Sequence, residues 1–168
     1  VSNAQSGVFV SNGNLTIDGG TNFVIAASEK IPAAQTYIVR DGDLYINSNI
    51  SYAETDYTDP SNIATAAFIV IDGNIVIDPS VTHIDGILMA IDTDNSGDGK
   101  ITQNDSTTNR LTIKGSLIGN VYDLFANRTG VGDPKKDQGS VTIHYDERIL
   151  LNTPPGISEL IDVEQTIV

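Results

Sequence analysis

Apolar and polar residues alternate with a period of two through most of this chain. Val8 and Val10, then Leu15 and Ile17, point one way, with Asn12-Gly13-Asn14 between the two pairs. That pattern predicts strand, turn and strand over residues 6–18. Residues 23–27 form a short buried run, and strands are expected at 37–39 and 44–46, with Ile50 and Tyr52 carrying the alternation onward. Residues 53–62 are polar and read as a loop. Three strands follow at 68–71, 75–77 and 86–91, separated by Pro79 and the segment Thr82-His83-Ile84-Asp85. Further strands are predicted at 111–118, 121–125 and 141–145, with a Gly-rich loop over 127–138. Residues 146–161 have helical character at either end and a break at Pro154-Pro155. No segment carries a long period of 3.6, so little helix is expected.

A motif recurs within this alternation: a glycine, a small polar residue, then alternating aliphatics. Its copies are Asn12-Gly-Asn-Leu-Thr-Ile-Asp18, Asp41-Gly-Asp-Leu-Tyr-Ile-Asn47, Asp72-Gly-Asn-Ile-Val-Ile-Asp78 and a worn Lys114-Gly-Ser-Leu-Ile-Gly119. Their glycines, 13, 42, 73 and 115, are spaced by 29, 31 and 42 residues. Subtracting one loop of about 12 residues from the third interval restores a near-constant repeat. Short strands returning regularly with Gly-polar corners predict the stacked coils of a right-handed parallel β-helix, an all-β solenoid. The alternative is an antiparallel β-sandwich, whose hairpins also use Asn-Gly and Asp-Gly turns. Continuous apolar runs such as Phe68-Ile-Val-Ile favour parallel strands covered on both faces.

Composition narrows the partners. The 168 residues fit one domain, and 22 acidic against 9 basic side chains give a net charge of −13. Nucleic acid and anionic membranes both reward clustered Lys and Arg, so neither is an expected partner. Without cysteine there is no disulfide framework, thiol chemistry or Cys-ligated zinc. No stretch approaches about 18 continuous apolar residues, so no membrane insertion by this chain is expected. The opening residues show no basic segment followed by an apolar one, hence no visible signal peptide. Four Asn-X-Ser/Thr matches, at Asn14, Asn49, Asn104 and Asn127, are read as chance in so Asn-rich a chain.

One stretch has metal-binding grammar. In Asp94-Asn-Ser-Gly-Asp-Gly-Lys-Ile-Thr-Gln-Asn-Asp105, the side chains of Asp94, Ser96 and Asp98 occupy positions 1, 3 and 5 of a calcium loop. Gly99 supplies the bend, Lys100 a backbone carbonyl at position 7, Thr102 a position often bridged by water, and Asp105 the closing carboxylate. Ile101 anchors the loop to the core. Calcium is a hard cation that collects oxygens, which this density of carboxylates offers. The stretch resembles the dockerin-type or extracellular calcium loop. The resemblance covers twelve residues and implies ion binding, with Asp at position 12 and no flanking helices. Asp92 is an additional candidate ligand. The expected role is to clamp an insertion at 92–105 between two coils.

Other candidates favour structural readings. His83 and His144 lie in separate repeats, and Asp41, Asp72 and Asp78 sit near corners, which suit Asp and Asn. Parallel β-helix pectin-cleaving enzymes use Asp clusters with a basic residue, but here Arg40, Lys114, Arg128 and Arg148 are scattered. Tyr37, Tyr45, Tyr52 and Tyr57 make a candidate sugar platform, weighed against ordinary strand packing.

Toward the C-terminus, Ile143-His-Tyr-Asp-Glu-Arg-Ile-Leu-Leu-Asn-Thr-Pro-Pro-Gly156 is similar to the tails of bacterial surface and pilus-associated β-solenoid domains, including PilX-type pilus assembly proteins. The Gly-Asn-Ile-Val-Ile-Asp repeat followed by Gly-Ile-Leu-Met-Ala is similar to that group too. The resemblance implies an extracellular, non-enzymatic structural or adhesive module whose partners are other surface or filament subunits, including copies of itself. The rival reading is a carbohydrate-active β-helix enzyme or a glycan-binding module. Residues 149–161 are the candidate cap for the exposed end, and 159–168 a candidate extension to a neighbour through Val163 and Ile167.

Overall fold

The computed structural model describes residues 6–54, 57–130 and 140–157. The chain is a parallel β-solenoid of about four turns. The first coil consists of β1 (Val8–Asn12), β2 (Leu15–Ile17) and β3 (Asn22–Ile25). The second repeats it with β4 (Ala34–Arg40), β5 (Leu44–Ile46) and β6 (Asn49–Tyr52). The third begins with β7 (Thr65–Ile71) and β8 (Ile75–Ile77) and ends in the first residues of β9 (His83–Ile91). The remainder of β9, β10 (Ile101–Thr102) and the start of β11 (Leu111–Ile118) make the fourth, and β12 (Val141–His144) stacks beyond it. All pairings between these strands are parallel, which replaces the sandwich alternative.

Register follows from burial, since a slip of one residue would turn each apolar column outward. Phe9, Tyr37, Phe68, Leu88 and Leu117 stand in one column on the first face. Leu15, Leu44, Ile75 and Ile101 stand in another on the second. Side chains from the three faces meet in one narrow core, where Leu44, Ile46, Ile50, Phe68, Ile84 and Leu88 are fully buried.

The corners correct one part of the repeat. Gly13, Gly42 and Gly73 do stack, so closely that a Cβ on Gly42 would stand 2.6 Å from the Gly13 carbonyl carbon. The fourth member of that column is Gly99, whose N–H donates to the Gly73 carbonyl at 3.0 Å. Gly115 pairs instead with Gly86, at a different corner where β9 and β11 bend from one face to the next (φ 152° and 145°). Both corners need glycine for close backbone approach, so in sequence they look alike. Consequently residues 100–102 are a rung of the second face and not part of an insertion.

The far end is closed by α1 (Tyr122–Asn127), which buries Leu124 in the core. The strand predicted at 121–125 does not form. The Asn120 side chain instead accepts the Tyr122 N–H at 3.2 Å, and the chain turns across the end of the stack. Next to it the buried Arg128 guanidinium donates to the carbonyls of Val81 (2.8 Å) and Asp78 (3.2 Å), and burial pulls its pKa down to about 10. Beyond β12, α2 (Arg148–Leu151) and residues 152–157 do not cross an end. They lie on the outer surface of β7 and β9, where Ile149 and Ile157 bury Ala67, Ile69, Ile87 and Met89 in a second small core. This outer cover explains why β7 is apolar on both faces. The proposed extension at 159–168 and the rest of the predicted cap lie outside the described residues.

Candidate metal site and charged clusters

After β4 and β7 the first corner is turned tightly, by Asp41-Gly42 and Asp72-Gly73, with the Asp residues in the left-handed region (φ 52° and 55°). Asx residues tolerate that conformation better than other side chains. Asp78 belongs to a separate corner: its N–H donates to Ile46, as that of Asn47 does to Ile17. After β9 the first corner carries a longer excursion, residues 92–98, before Gly99 restores the column. Its two feet rest on the coil below: Asp72 N–H donates to the Ile91 carbonyl at 2.9 Å and Gly99 N–H to that of Gly73. Thr93 donates its N–H and hydroxyl to Asp72 Oδ1, both at 2.7 Å.

Within the excursion, Asp92 accepts from the Ser96 and Gly97 N–H groups at 3.2 and 3.0 Å, and Asp94 from Ser96 N–H at 2.9 Å. The Gly97 N–H chiefly holds the Asp92 carboxyl below the usual range. Carboxylate oxygens of Asp72, Asp92 and Asp94 lie within 4.8 Å of one another. Three hard oxygen donors at that separation, partly open to solvent, suit a divalent cation that keeps water ligands.

The structure distributes the six sequence-derived ligands unevenly. Asp94 is in the carboxylate group. Ser96 donates its hydroxyl to Asp98 Oδ2 at 3.1 Å, and Asp98 Oδ1 accepts from Asn74 Nδ2 at 3.1 Å. The Lys100 carbonyl accepts the Ile75 N–H at 2.8 Å, and Thr102 pairs with Val76. Asp105 lies past β10, where its carbonyl accepts from the buried Gln103 amide. The chain therefore leaves the corner extended, because residues 100–102 must pair with β8, and it carries Asp105 away from Asp94. Asp92 and Asp72 complete the group in its place. Asp72 comes from 22 residues earlier, a juxtaposition made by coil stacking alone. Beside this site runs a hydrogen-bonded ladder: Asp43 N–H donates to Asn14 Oδ1 (2.9 Å) and Asn74 N–H to Asp43 Oδ1 (2.8 Å).

A second charged cluster escaped the sequence reading. Asp85, 5% exposed, accepts from Tyr52 N–H at 3.0 Å and lies 2.8 Å from His83 Nε2. Lys114 stands opposite it in register on β11. The Arg148 guanidinium lies 4.6 Å above the Tyr52 ring, and Arg148 donates to the buried Asp146 at 3.2 Å. Burial pushes the Asp85 carboxyl up, but the His83 and Tyr52 hydrogen bonds and the nearby cations outweigh it and hold the pKa below 3.8. A group depressed on folding stabilises the fold above its unfolded pKa and loses that contribution as pH falls through the folded value. Asp85→Asn is thus expected to cost about 1–2 kcal/mol at pH 7 and to flatten the fall in stability below pH 4. Urea titrations from pH 2.5 to 7 check this; an unchanged acid limb overturns it. The available signal was an acidic residue inside the otherwise apolar run 84–91, since a buried charge requires partners.

The tyrosines do not form a platform. Tyr37 stacks between Phe9 and Phe68 at 4.8 and 5.1 Å, with burial raising its phenol to about 12. Tyr52 is buried, its hydroxyl accepting the Ala66 N–H.

The fold and this corner define the class: a parallel β-solenoid with an acidic excursion at one corner. No family model, curated protein or solved structure matches the chain. Among the described residues no helix is long and apolar enough to cross a membrane.

Proposed function

We propose that this chain is a non-enzymatic structural or adhesive module of a cell-surface or pilus-like filament assembly, stabilised by a calcium ion at the Asp72–Asp92–Asp94 corner. The observation that carries the calcium reading is the convergence of these three carboxylates from two stacked coils, at the start of the Asp-rich stretch 92–98. An ion held there ties the excursion after β9 to the corner after β7. Few protein ligands and partial exposure suit the millimolar regime of extracellular modules, where a weak site still fills. The assembly reading is supported by the first coil: among the described residues no strand pairs with the outer edges of β1, β2 or β3. Phe9, Leu15, Phe23 and Tyr37 line an apolar cavity of about 220 Å³ there. Open sheet edges template pairing with another chain.

Thermal unfolding in calcium and in chelator tests the ion. With calcium at about 100 times its Kd, the parent is expected to melt roughly 5–10 °C higher than in chelator. Asp92→Ala, Asp94→Ala and Asp72→Asn abolish the difference, whereas Asp105→Ala leaves it intact. Loss of the response in Asp105→Ala but not Asp72→Asn would show that the ion instead closes a twelve-residue loop. Identical melting of the parent in both buffers removes the site.

A further inference from the structure

In a stack of coils each rung touches only its neighbours, so an end rung can detach while the rest stays folded. Residues 146–157 break that rule. After β12 the chain doubles back along the outside of the first face, against the direction of stacking. The Arg148 guanidinium lies over the Tyr52 ring of the second coil, oriented by Asp146 within the segment. The Asn152 carbonyl accepts from the Thr65 hydroxyl at 2.6 Å, and its side chain donates to the Ile63 carbonyl at 2.8 Å. The Pro155 carbonyl accepts from the Thr36 hydroxyl at 2.7 Å, and its ring lies beside Gly7 at the entry to β1. Ile149 and Ile157 bury the surface between these fastenings. One segment, downstream of the last coil, therefore holds the third, the second and the margin of the first.

We propose that residues 146–157 are a longitudinal strap that couples the terminal coils, so that the solenoid opens as one unit and not rung by rung. The threonines support this assignment. Thr36 and Thr65 are 1% and 0% exposed on an outer face where the covered positions Ala34, Ala67, Ile69, Ile87 and Met89 are apolar. Their hydroxyls have the strap carbonyls as acceptors. The segment that shields these two hydroxyls from water therefore also supplies their acceptors, so that its closed position leaves neither buried and unbonded. The fastenings are independent of the carboxylate corner, so failure of the calcium site leaves this inference standing.

Residue-level amide exchange tests it on the full chain. In the parent, amides of β4, β7, β9 and β11 are expected to exchange with one common opening free energy. In Ile149→Ala/Ile157→Ala, amides of β1 and β4 should exchange about tenfold faster relative to those of β9 and β11. Thr36→Val/Thr65→Val, which keeps shape and removes only the donors, should do the same and serves if the first variant does not fold. Leu124→Ala, at the opposite end cap, should accelerate every strand by a common factor. Uniform acceleration in the strap variants, or unchanged exchange in β1 and β4, would overturn the proposal.

Discussion

Gly73→Ala is expected to prevent folding, whereas Gly13→Ala, in the same motif, should leave a folded protein. A Cβ on Gly73 would overlap the carbonyl oxygen and carbon of Gly42 in the coil below, and backbone cannot give way as a side chain can. Neighbouring parallel strands hold that spacing along the whole face, so relief requires separating two coils. The cost is on the order of 4 kcal/mol or more, a large share of the stability of a domain. Gly13 begins the column, and nothing lies within 4 Å of its Cβ position. Its φ of 83° leaves only the left-handed penalty of about 1–2 kcal/mol. Circular dichroism and urea unfolding of the two variants make the comparison. Equal, modest losses would mean that the corners are not in contact and that the coil register is wrong.

Phe68→Ala carries the second large effect. The ring is fully buried, stacked on Tyr37 at 5.1 Å, and lies against Gly86, whose missing side chain makes room for it. Rungs of β-sheet above and below are fixed by their hydrogen bonds, so the site collapses little and the cavity persists. Truncation should cost about 3–5 kcal/mol, with a fall in Tm on the order of 10 °C. Phe125→Ala, on the exposed side of α1, should cost under about 0.5 kcal/mol. Thermal and urea unfolding of both decide it. A loss below 1 kcal/mol for Phe68→Ala would place that aromatic column outside the core.

Most strands were legible because their signal is local. Alternation at Leu44–Ile46 and Ile75–Ile77 depends only on which residues face in, and pairing of equivalent rungs follows from the repeated motif. The errors fell where different contacts require the same residue type. Gly99 and Gly115 both permit close backbone approach, and only pairing shows which of them continues the Gly13 column. Residues 121–125 read locally as a strand, but only Asn120 pairs with the last rung of the second face, at Lys100, before its side chain takes the Tyr122 N–H and the chain turns into α1.

The carboxylate site divides in the same way. Asp94 and the auxiliary Asp92 were readable as an acidic stretch with calcium-loop spacing. Asp72 joins them because stacking puts its corner directly under the excursion, and Asp105 departs because β10 is pulled into the sheet. The sequence alone determined the coil, its repeat and its acidic corner, since side-chain periodicity and turn chemistry act over a few residues. The tertiary structure decided which corners touch, where the chain doubles back as a strap, and which charges are buried together at Asp85. Those outcomes depend on contacts between residues tens of positions apart, which no local pattern encodes.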